Sequence, residues 1–129
     1  MAEQVFGKTD TKTVSIATDL SAKQGYLVNL DATTYGLVAL ATDATKFPYP
    51  LVDGKDGSVT AATGAIAVGG ECRVKIGGTV TVAAALTSDG NGKGIACTTE
   101  GQLYGAVALE NGVADDIITV KVTQGFFAN

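Results

Sequence analysis

The sequence has no histidine and no tryptophan, and among its 129 residues there are only two cysteines, two prolines and one methionine. Without imidazole the chain lacks the side chain best suited to proton transfer at neutral pH, and with it every histidine-containing triad and imidazole-based metal site. Cys72 and Cys97 are too few for a four-thiolate site and do not form a C-x-x-C pair. They read as small apolar side chains of core strands, expected to stay reduced and to be dispensable for folding. The four serines, Ser15, Ser21, Ser58 and Ser88, include none in a G-x-S-x-G elbow. Basic residues number 9 against 13 acidic, giving a net charge of -4, and they form no run. This balance argues against a chain built to grip nucleic acid. No apolar stretch approaches the length of a membrane-crossing helix, and no basic start followed by an apolar run marks a signal peptide.

The remaining motif candidates fail on spacing. Asp53-Gly54-Lys55-Asp56-Gly57 and Asp89-Gly90-Asn91-Gly92 lack the ligand pattern of a calcium loop. The double glycines at 69–70 and 77–78 fit no phosphate-loop signature. Asp115 and Asp116 are adjacent, so in extended chain they point to opposite faces instead of forming a carboxylate pair. The sequence therefore predicts a protein that is not an enzyme, with no catalytic residue, metal or cofactor.

What the chain does have is small residues: 19 Ala, 17 Gly, 17 Thr and 14 Val make up just over half of it. No apolar stripe of helical period persists over 11 residues, whereas short alternating runs recur between turn signals. The expected strands are Val14–Ala17, Tyr26–Leu30, Gly36–Ala41, Ser58–Ala62, Ala65–Val68, Glu71–Ile76, Ala83–Thr87, Ile95–Thr98, Leu103–Leu109 and Asp116–Thr123, with Thr79–Val82 extended. In the clearest of them Cys72, Val74 and Ile76 face inward while Glu71, Arg73 and Lys75 face water, with Gly-Gly pairs ending the strand on both sides. Tyr26, Val28 and Leu30 are assigned to one face and Asn29 to the other. Phe47-Pro48-Tyr49-Pro50-Leu51 reads as a rigid connector and not an interior strand, because two prolines remove two ladder donors. The fold class expected is all-β: a compact antiparallel β-barrel or β-sandwich of short strands with an extended N-terminal arm. Residues 1–13 form that flexible arm and residues 14–129 a single β-rich domain.

Between residues 64 and 122 the chain resembles the capsid decoration proteins of tailed bacteriophages, also called head-stabilising or cement proteins. The resemblance rests on Leu86-Thr87-Ser88-Asp89-Gly90-Asn91-Gly92-Lys93, on Gly105-Ala106-Val107-Ala108-Leu109-Glu110-Asn111-Gly112, and on the closing strand Ile117–Val122. It implies a compact β-fold, often trimeric, that sits on the outer surface of the virion and locks major capsid proteins together. Residues 31–63, with the proline-flanked Phe47 and Tyr49, depart from the shorter family members. On this reading the partners are the major capsid protein and two further copies of the chain, with no nucleic acid or membrane. Val5, Phe6, Lys8 and Lys12 of the arm are the expected capsid contacts, and Phe47, Tyr49, Phe126 and Phe127 the expected subunit seam. The resemblance also implies assembly in the host cytoplasm. The alternatives are a phage tail or fibre-associated structural domain, or a glycan-binding surface β-sandwich.

Overall fold

A computed structural model describes residues 9–31, 33–42 and 45–128. Among them are nine strands: β1 Thr9–Ile16, β2 Leu27–Leu30, β3 Leu37–Leu40, β4 Tyr49–Asp53, β5 Ala62–Lys75, β6 Ala85–Ser88, β7 Gly94–Ala96, β8 Leu103–Ala108 and β9 Ile117–Phe126. The described residues contain no helix. The protein is all-β: strands β1-β3-β2-β4-β5 form a ring closed by pairing of β1 with β5, and β9-β8-β6-β7 extend from it. The extension also curls back, since Ile76 just beyond β5 bridges Gly94 of β7. All pairings between named strands are antiparallel except β1 with β3, where Ser15 and Ile16 run parallel to Leu37 and Val38.

Strand β5 is the shared stave. Its first part pairs with β1 from Ala62 to Gly70, and its last part pairs with β9 from Glu71 to Lys75. The Gly69-Gly70 pair was expected to separate two strands; instead the strand runs through it. Gly70 adopts a φ of 78°, a left-handed backbone that turns the strand from one half of the molecule into the other without ending it.

Two cores follow. Val14, Ile16, Val28, Val38, Leu51 and Ile66 fill the ring, and Val74, Ile76, Leu86, Ala106, Ile118 and Val120 fill the second half. The alternation expected in β9 holds: Ile118, Val120 and Val122 are buried and Lys121 is exposed. After Glu71, the inward and outward faces of β5 and of Ile76 just beyond it are also largely as expected, with Val74 and Ile76 buried and Arg73 exposed; Cys72, Glu71 and Lys75 are half-buried. In β2 Val28 and Leu30 share a face as assigned, both packing on the ring core, but neither face meets water, because Leu27, Val28 and Asn29 are all buried. Val28 belongs to the ring core and Leu27 to the other core, so this strand has apolar surroundings on both faces.

Four further expectations need correction. The proline segment is an interior strand: β4 pairs with β2 through Tyr49 and Pro50, and with β5 through Leu51 and Asp53. Leu51 N–H donates to the Tyr26 carbonyl on the β2 side. By strand alternation the ring nitrogens of Pro48 and Pro50 face the other way, where pairing with β5 begins only at Leu51 and passes through a bulge. Residues 58–60 form bends instead of a returning strand. Thr79–Val82 contributes a single bridge, Val80 to Gly112, before turning at Val82-Ala83. Finally, residues 9–13 of the expected arm are part of β1, aligned on β5, with the Thr9 hydroxyl donating to the Glu71 carbonyl.

Candidate interaction surface

The largest exposed aromatic surfaces lie at the end of β9 and on the outer wall of the ring. Leu103 of β8 pairs with Phe126, and Tyr104 with Gly125, which carries β9 out to its aromatic end. Phe126 is 69% exposed and meets Phe47 edge-on, with ring centroids 5.9 Å apart and planes at 61°. Phe47 is brought there by Pro48, whose carbonyl lies against Gly105 of β8 so closely that a Cβ on residue 105 would overlap it. Phe127 follows, half-buried, its N–H donating to the Gln102 carbonyl at 2.8 Å and its own carbonyl accepting from Gly101 N–H at 2.8 Å.

Of the four predicted seam residues, the structure therefore joins Phe47 to Phe126 and sets Phe127 beside them in sequence. Tyr49 instead packs against the ring core from β4. The segments that build this surface, residues 47–52, 101–109 and 122–128, contain no Asp, Glu, Lys or Arg. Sequence reasoning missed Gln124, whose side-chain Nε2 is buried and has no hydrogen-bond partner among the described residues.

Of the predicted capsid contacts, Val5, Phe6 and Lys8 lie outside the described residues. Lys12 is on β1, opposite Ile66. Its ammonium donates to the Tyr35 hydroxyl at 3.2 Å and lies 5.1 Å from the Tyr35 ring centre. Tyr35 is 89% exposed, which makes this cation–aromatic pair a feature of the outer wall.

The clefts are shallow. Two of about 220 and 230 Å³ share Asn29, Thr42 and Lys46. A third, of about 320 Å³, runs between Leu51, Val52, Cys72 and Ile117. Among the described residues no three His, Cys, Asp or Glu side chains converge as metal ligands. Cys72 and Cys97 are not bridged to each other. Burial pushes the Cys72 thiol up to about 11, far from the thiolate a nucleophile needs, and shifts Cys97 in the same direction.

These features define a class: a closed β-barrel module, without helix among the described residues, whose most distinctive surface is aromatic and uncharged. In three dimensions the chain is similar to the head fiber gp8.5 N base in bacteriophage phi29, with a TM-score of 0.66 over 95% of this chain and 100% of that one. The two share 12% sequence identity, so the likeness is one of fold. No family model matches the sequence, and no curated protein matches it.

Proposed function

We propose that this chain is a non-enzymatic structural protein of a phage virion, seated on the outer surface of the head, where it stabilises contacts between major capsid subunits. The observation that carries the reading is the likeness of fold to a head fiber base, which extends over nearly the whole of both chains. The same observation favours a second reading, in which the module is the base of a fibre rather than a free-standing decoration. Both readings use the domain as a shape with two contact regions. Phe47 and Phe126, with Phe127 alongside, form the seam of a homotrimer, and residues 1–8 with Val5 and Phe6 reach a capsid subunit by adding a strand to one of its sheet edges. Lys8 and Lys12 supply the positive charge near that contact.

The test is reconstruction of heads with and without the chain, together with binding of the purified protein to heads that lack it. A regular lattice of added density on the shell supports the proposal. Density confined to the tail, or no binding to heads, overturns it. Native mass measurement addresses the seam: Phe126→Asp is expected to abolish self-association while leaving a folded monomer with an unchanged far-ultraviolet circular dichroism spectrum, because within the chain the ring is mostly in solvent. Deleting residues 2–8 leaves β1 whole and is expected to reduce head occupancy at limiting protein; undiminished occupancy removes the arm from the proposal. Binding on a glycan array would support the glycan-binding alternative.

A further inference from the structure

The chain contains two Asn-Gly pairs, Asn91-Gly92 and Asn111-Gly112. At such a pair the glycine nitrogen can attack the asparagine side-chain carbonyl carbon, because no Cβ hinders the approach.

The fold treats the two pairs differently. Asn111 Oδ1 accepts the Val82 N–H at 2.9 Å. Gly112 N–H donates to the Val80 carbonyl at 3.0 Å, and the Gly112 carbonyl accepts the Val80 N–H at 2.9 Å. Ring closure at Asn111 would disrupt an isolated bridge between distant segments of the chain. Asn91 is exposed, and its side chain makes no hydrogen bond among the described residues. Its neighbour's nitrogen is held only within the turn: Gly92 N–H donates to Ser88 Oγ at 3.1 Å, a hydroxyl that also accepts Gly90 N–H at 3.2 Å.

We propose that Asn91 is a site of spontaneous deamidation in the folded protein, and that Asn111 is protected. The Gly92 nitrogen gives its proton to water and bonds to the Asn91 side-chain carbon. Water returns that proton to the side-chain nitrogen as its bond to carbon breaks, and ammonia leaves, which closes a succinimide. Water then opens the ring at either carbonyl to give aspartate or isoaspartate; no oxidant or reductant takes part. The two products differ structurally. Aspartate adds a charge to a turn that already holds Asp89 and Lys93. Isoaspartate lengthens the main chain by one carbon next to Gly92, whose carbonyl accepts the Leu27 N–H at 2.6 Å and so ties the β6–β7 hairpin to β2. The isoaspartyl form is therefore the destabilised one.

The experiment incubates the full chain at mildly alkaline pH, folded and in urea, and maps both asparagines by mass spectrometry with enzymatic detection of isoaspartate. In the folded protein Asn91 is expected to convert about tenfold or more faster than Asn111, because reaction at Asn111 waits for local opening. In urea the two rates converge, and Asn91→Ser removes the main product of the folded protein. Equal rates in the folded state, faster conversion at Asn111, or an unreacted Asn91 in folded protein while the unfolded chain converts would each overturn the proposal.

Discussion

At the scale of single residues, the most sensitive positions are those where the backbone leaves no room or is held in an unfavourable conformation. Gly105 sits against the Pro48 carbonyl, so an added methyl must displace main chain and cannot simply push aside a flexible side chain. Gly105→Ala is expected to cost about 3 kcal/mol in urea unfolding, and to loosen the contact that presents Phe47. Ala83 is the opposite case, a residue with a Cβ at a φ of 76° in the turn before β6. Ala83→Gly is expected to raise stability by about 0.5–1 kcal/mol, the left-handed penalty less the added freedom of the unfolded chain. Several exposed carboxylates are held below their ordinary range. Asp31 accepts hydrogen bonds from the Thr34 N–H and then from the hydroxyl and N–H of Thr33, Asp19 from Ser21, Glu110 from Thr119, and Asp115 from Lys93. Their contribution is complete above the unfolded carboxylate range and is lost as pH falls through the lower folded values. Lys93, raised by Asp115, behaves in the reverse sense: its contribution is complete below the unfolded lysine value and is lost as pH rises through the folded one. The melting temperature is therefore expected to be flat from neutrality to about pH 5 and to fall below about pH 4, as followed by circular dichroism.

At the scale of elements, β5 carries the architecture, and its corner can be tested directly. Gly70→Ala keeps both ladders but forces a Cβ into left-handed backbone, so it is expected to cost about 1–2 kcal/mol in urea unfolding. An effect no larger than that of an exposed strand glycine would show that the bend does not depend on this residue. Strands with one buried face were legible in the sequence. In β9, and in β5 after Glu71, the period of two follows from a boundary between core and water. Three features were hidden for identifiable reasons. The burial of β2 on both faces was hidden because the polar Asn29 interrupts its apolar run, while the strand lies between two apolar cores. The prolines of β4 suggested a connector because sequence does not reveal which side of a strand lacks a partner. The Gly-Gly pair suggested a stop because a terminating glycine and a bending glycine look alike until their partners are known. Four rings were named from the sequence, but only packing distinguishes the contact of half-buried Phe47 with exposed Phe126 from Tyr49 on the ring core.

At the scale of the whole molecule, the two cores are not independent units. β5 is a wall of both, and Leu27 and Ala41 leave the ring to pack in the second core. Unfolding is therefore expected to be a single transition. Far-ultraviolet circular dichroism and tyrosine fluorescence, which samples Tyr49 in one half and Tyr104 in the other, should give coincident urea curves. Two separated midpoints would show that the halves melt separately. The closure of β1 on β5 also has a consequence for the order of events on the ribosome. Thr9 is made early, yet its partner Gly70 emerges only after β2, β3 and β4 have been synthesised. β1 thus gains its β5 partner only after the three strands between them in sequence, and the barrel can seal only when the middle of the chain has left the exit tunnel. Until then β1 must wait unpaired on that side, and loop-closure entropy makes the sealing step slow compared with formation of the local β6–β7 and β8–β9 pairings.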